Sequence, residues 1–179
     1  MNLDNFREEV AAKRNRTWNM ALYGFTWVTI VACGLIAMMN FSTMMGGYFS
    51  WQTIITTVVF AGLAFLLWRK KDELRIEYDY TFTNGELDVG KVFGNSRRRL
   101  MTSLPMKNVE SAGAVTHQSF QRFLQMKDCK KHNWFVNRDA HLYYFYFVKK
   151  EIKHVIIVEL SDEMITMLKP YLNFGVWNG

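Results

Sequence analysis

From Thr17 to Trp68 the chain carries no Asp, Glu, Lys, Arg or His. An ordinary soluble fold does not leave so long a stretch uncharged, because its helices need a polar face toward water. A helix rises ~1.5 Å per residue and the bilayer hydrocarbon is roughly 30 Å thick, so the stretch is too long for one crossing and suits two. It predicts a transmembrane helical hairpin over residues 18–68, with spans at about 18–41 and 48–68. Ser42–Gly47 joins them, and Gly46-Gly47 supplies the permissive backbone of a reversal. Trp18 and Trp68 mark one membrane interface; Phe41, Tyr48 and Trp51 mark the other.

The flanking charges orient the hairpin. Arg7, Lys13, Arg14 and Arg16 precede it, Arg69, Lys70 and Lys71 follow it, and the loop has no cation. The positive-inside rule therefore predicts a multi-pass protein of the cell membrane with both termini cytoplasmic. A cleaved signal peptide fits poorly, since the first apolar run exceeds an h-region and a second follows at once. The spans carry no ionisable group, which argues against a stand-alone transporter. Cys33 falls at membrane depth and Cys129 in the cytoplasmic part, so the two cysteines are not expected to form a disulfide.

Residues 1–17 read as an amphipathic lead. Leu3, Phe6 and Val10 share one helical face, and Glu9 with Lys13 forms an i,i+4 pair. Residues 69–179 read as one cytoplasmic domain. Leu74, Ile76, Tyr78, Tyr80 and Phe82 alternate with Arg75, Glu77, Asp79 and Thr81, the pattern of a half-buried strand. Asn84-Gly85 predicts a two-residue hairpin turn, and Glu86–Phe93 the return strand, slipping at a bulge at Gly90. Further strands are expected over Ser96–Thr102 and Asn108–Val115, a short helical turn at SFQRFLQM, and a strand around Asn133–Val136. Leu142–Val148 and Ile152–Leu160 are apolar on both faces and belong inside a core. Ser161 is the expected N-cap of a final helix with Met164, Leu168 and Tyr171 inward and Pro170 limiting its length.

The predicted class is an α+β membrane protein: a two-helix hairpin followed by a small antiparallel β-barrel capped by a C-terminal helix. The order of the hairpin, RIEYDYTFTNGELDVGKVFGNSRRRL, NVES and YYFYFVKKEIKHVIIVELSDEMITMLKPYL resembles a group of uncharacterised bacterial membrane proteins with a cytoplasmic PH-like domain. The resemblance covers most of the chain and implies a seven-strand PH-like barrel with a C-terminal helix. That group brings no functional residues with it.

Chemistry-bearing motifs are sparse. Gly85-x-x-x-x-Gly90-Lys91 lacks both the Ser/Thr and the following helix of a phosphate loop. Cys129 and His132, with His117 and His141 nearby, are zinc-compatible types, but one C-x-x-H in a basic loop reads first as solvated surface. No cofactor is expected. His154 reads as a hydrogen-bonded core histidine. The basic side chains Lys91, Arg97, Arg99, Lys130 and Lys131 are the candidate contacts for anionic lipid or a protein partner. Strand alternation sends Arg98 to the face opposite Arg97 and Arg99. Nucleic acid is the poorer use of these charges in a membrane-tethered domain. The expected function is a membrane-anchored, non-catalytic binding module for a protein partner, a second copy of the chain or anionic headgroups. The alternative is an accessory subunit of a larger membrane complex such as a transporter, and a metal-dependent enzyme ranks third.

Overall fold

The computed structural model describes residues 5–14, 16–94 and 97–178. They fall into two units, one within residues 16–75 and the other made of residues 5–14 with those from 76 to 178.

The first unit is the hairpin. Helix α1 spans Arg16–Met45 and α2 spans Trp51–Lys70. Each is long and apolar enough to cross a membrane. Of their described side chains only Cys33 is buried within the chain. A helix at the core of a soluble protein would instead bury much of its surface. The helix α1 runs through the expected end at Phe41 to Met45, because nothing in Ser42–Met45 breaks it. Reversal occurs at Gly46-Gly47, with Gly47 at φ +93°, and Ser50 caps α2 by accepting from the Gln52 N–H.

In the second unit, β1 (Phe6–Ala11), β2 (Ile76–Thr83), β3 (Glu86–Phe93) and β4 (Arg97–Pro105) form one antiparallel sheet in chain order. The N-terminal lead is thus a strand and not the expected amphipathic helix. So short a helix is marginal in water, whereas β2 offers six residues of ladder from Phe6↔Thr83 to Ala11↔Tyr78. Asn84 and Gly85 both take positive φ, as their hairpin turn requires. Register between β2 and β3 is unbroken, and Lys91 stays in phase opposite Tyr78. The expected slip lies instead between β3 and β4, at Val89/Gly90, where Met101 is the unpaired extra residue. Of the strand expected over Ser96–Thr102, its first residue lies outside the described residues, and β4 runs on to Pro105.

A 3-10 turn at Met106–Asn108 carries the chain to the second sheet. Its strands are β5 (Val109–Ala114), β6 (Cys129–Trp134), β7 (Leu142–Lys149), β8 (Ile152–Glu159) and β9 (Trp177–Asn178), in the order β6-β8-β7-β5-β9. The expectation of a closed, wholly antiparallel barrel is corrected here. The sheets are separate, and β6 pairs with β8, and β5 with β9, in parallel. The hairpin β7–β8 leaves only the far edge of β8 to β6, which runs in the same direction.

The two sheets and helix α4 (Asp162–Leu168) enclose the main core, which includes Tyr80, Phe82, Leu87, Val89, Leu104, Phe145, Ile156, Val158, Met164 and Leu168. Tyr80 joins the sheets: its hydroxyl donates to the Trp134 carbonyl and accepts from the Glu159 N–H. The other face of β7–β8 is covered by helix α3 (Ser119–Gln125), whose Phe120 and Phe123 pack on Tyr144, Tyr146, Val155 and Ile157. That cover explains why β7 and β8 are apolar on both faces.

Candidate functional site

The strand register assembles part of the basic set. One cross-strand row reads Ala11, Tyr78, Lys91, Arg99, and the next reads Ile76, Phe93, Arg97. All seven share the sheet face that elsewhere carries Tyr80, Val89 and Leu104 into the core. Ala11 and Tyr78 remain buried in that core, but on the β3–β4 side of this end the face leaves it, and Arg97 and Arg99 are exposed. The Lys91 ammonium lies 5.0 Å from the Phe93 ring centre and 5.8 Å from that of Tyr78. Such contacts hold a lysine in place while leaving its charge available. The chain also leaves this end toward the hairpin and returns to it, through Ala11–Arg14 and Ile76.

Arg98 points the opposite way, as alternation predicted. Its Nη2 lies 2.6 Å from Asp79 Oδ2 and donates to Thr81 Oγ1 at 3.3 Å, and its Nη1 stands 3.9 Å from Glu8 Oε1. Asp79 is 5% exposed, and among the described residues its Oδ1 has no hydrogen-bond partner. Burial raises the Asp79 carboxyl above its ordinary range; the Arg98 charge offsets this only in part, and Glu8 adds to the rise. Gly90 makes the crossing feasible, since a Cβ there would sit 3.2 Å from Arg98 Nε.

Lys130 and Lys131 do not join this group. They lie on β6, at the edge of the other sheet, facing opposite sides, and the Lys131 ammonium donates to the Leu124 carbonyl. Cys129 and His132 also point to opposite faces of β6, which is a strand where a basic loop was expected. They do not form a ligand pair, and among the described residues no group of three His, Cys, Asp or Glu could hold a metal ion. His132 instead meets His154, with Nε2 and Nδ1 3.2 Å apart. His154 is half-buried, stacked on Phe147 with ring centres 5.4 Å apart.

Several polar contacts escaped the sequence reading, which set Glu9 beside Lys13 on a helix. Glu9 accepts from the Ser161 N–H at 3.0 Å and from the Ser161 hydroxyl, while Arg7 Nε donates to it at 2.7 Å. Burial pushes Glu9 up, but the Ser161 and Arg7 donors outweigh it and hold the carboxyl below its ordinary range. Glu159 accepts from the Val136 and Asn137 N–H groups and from the Asn137 amide. Asp162 accepts from the Tyr143 hydroxyl at 2.6 Å and faces His141 Nδ1 at 3.1 Å. Glu9 and Ser161 are 152 residues apart and meet only because β1 joins the first sheet, whereas the Glu159–Asn137 and Asp162–Tyr143 contacts follow from the β6–β8 and β7–β8 pairing of the second sheet.

A family model described as a bacterial PH-like domain, DUF6106, matches residues 3–177. The chain belongs to that family. The matched span takes in β1, both apolar helices and the two sheets, so the PH-like domain and the hairpin inserted between its first two strands form one family unit. No curated protein and no solved structure matches the chain. The PH-like assignment agrees with a helix-capped pair of sheets, and the family is uncharacterised.

Proposed function

We propose that this PH-like protein is a membrane-anchored, non-catalytic binding module with cytoplasmic termini, whose Lys91, Arg97 and Arg99 surface contacts anionic headgroups of the inner leaflet. The observation that carries this reading is the placement of those three cations on one face, at the sheet end where both chain connections to the apolar hairpin leave. Short connections keep that end within reach of the bilayer surface, where each cation is worth ~1 kcal/mol. Half-buried Phe93 and Ile76 beside the cations suit the apolar edge of such a surface. PH-like domains are generally binding modules, which supports the non-catalytic part of the reading.

Hydrogen exchange on the full chain in nanodiscs tests it. Replacing part of the phosphatidylcholine by phosphatidylglycerol is expected to slow exchange in the peptide spanning the end of β3 and the start of β4. Salt weakens the effect by screening, and Arg97→Glu with Arg99→Glu abolishes it. Equal exchange in neutral and anionic discs would refute lipid contact.

A further inference from the structure

The two edges of the first sheet are treated differently. β1 is tied down along its length: Asn5 Nδ2 donates to the Tyr171 hydroxyl at 2.7 Å, Arg7 pairs with Glu163, and Glu9 holds Ser161. Farther on, Asn137 Nδ2 donates to the Ala12 carbonyl at 2.9 Å, and the Arg14 N–H to Asn137 Oδ1 at 3.0 Å. At the opposite edge β4 has one ladder among the described residues, with β3. Its first four residues, Arg97–Leu100, are all exposed, and Leu100, a large apolar side chain, is 62% exposed. In an antiparallel pair alternate residues turn their N–H and C=O groups away from the partner, so such an edge is a template for another strand. The bulge at Met101 and the proline at Pro105 confine that template to its first half.

The arginines select what can add there. A second copy paired antiparallel about Arg98 would set Arg98 against Arg98 and Arg97 against Arg99, and like charges directly opposite are destabilising. An acidic strand reverses the sign of both contacts. Arg97 and Arg99 share one face, about 6.6 Å apart along the strand, the spacing of carboxylates on residues i and i+2. Arg98 already faces Asp79 on the other side, beside Leu100, where the added strand meets an apolar surface.

We propose that β4 is a docking edge for an acidic extended segment of a partner protein, which adds as a fifth strand with carboxylates opposite Arg97 and Arg99 and an apolar residue beside Leu100. The proposal rests on the reading of the domain as a binding module but not on lipid contact.

The test uses the full chain in neutral-detergent micelles and a fluorescein-labelled, end-blocked peptide alternating Glu and Val, followed by anisotropy. Saturable binding is expected, at least tenfold tighter than for a Gln–Val peptide of the same length. N-methylation of alternate peptide amides separates strand addition from charge attraction, because methyls in one phase face β4 and in the other face water. One phase should lose at least tenfold and the other keep its affinity. Arg99→Glu should cost at least tenfold, and Lys130→Glu, on the other sheet, should not. Absence of saturable binding, or equal binding by both methylated peptides, overturns the proposal. Short-chain phosphatidylglycerol titrated in the same micelles separates the two readings: a response lost in Arg99→Glu without peptide binding leaves lipid contact standing and removes the docking edge.

Discussion

Asp79 and Glu9 sit in adjacent strands and respond to pH in opposite senses. Asp79 is raised in the fold, so its favourable contribution is complete below the ordinary carboxyl value near 3.8 and is lost as pH rises through the folded value. Arg98 limits that loss. Arg98→Met therefore leaves a buried carboxylate without its counter-charge and is expected to cost about 1–2 kcal/mol near neutral pH, at the low end because Arg98 is half-exposed. The gap from the unaltered protein should narrow as acid neutralises Asp79. Glu9 is lowered in the fold, so its contribution is present above about 4.5 and lost as pH falls through the folded value. Glu9→Gln should cost about 1 kcal/mol at neutral pH and little in acid. Thermal melts of the full chain in neutral detergent at several pH values check both; parallel curves for either variant and the parent would remove the corresponding linkage.

At the scale of elements, β1 belongs to the PH-like fold although the hairpin separates it from β2 in sequence. A fragment beginning at Lys71 lacks β1, exposes the edge of β2 and loses the Glu9 cap on α4. It is expected to be aggregation-prone, whereas residues 5–14 joined by a flexible linker to residues 76–179 should give a cooperative melt. An equally soluble and stable Lys71 fragment would show that β1 is dispensable. Within the core, Ile156 is fully buried, and Ile156→Ala is expected to cost about 2–5 kcal/mol. These elements also show what the sequence could reveal. The β2–β3 hairpin was legible because period-2 alternation and Asn84-Gly85 agree, and α4 because Ser161 and its inward stripe do. β1 was not, since Phe6 and Val10 satisfy a helical face as well as an alternating one and the choice is made by β2, far along the chain. β9, two residues long, has no periodicity to read and exists through its pairing with Ala112 and Gly113. For the site, alternation separated Arg98 from Arg97 and Arg99, but its partner Asp79 and the isolation of Lys130 and Lys131 depended on register and sheet membership.

For the whole molecule the charge pattern makes the sharpest demand. Cations flank the apolar stretch on both sides and none lies between, so the positive-inside rule predicts the PH-like domain and Tyr48 on opposite sides of the bilayer. The family match over residues 3–177 joins hairpin and domain in one unit without fixing a side. Single cysteines decide it. In a background with Cys33 and Cys129 replaced by serine and alanine, Tyr48→Cys lies in the connection between α1 and α2, and Glu151→Cys in the β7–β8 turn; both positions are exposed. A membrane-impermeant maleimide added to intact cells is expected to label Tyr48→Cys alone, and both after permeabilisation. Labelling of Glu151→Cys alone in intact cells would invert the protein, placing Lys91, Arg97 and Arg99 beyond the anionic inner leaflet and removing the basis for headgroup contact. Labelling of both without permeabilisation would instead show that the two apolar helices do not cross the membrane as a hairpin.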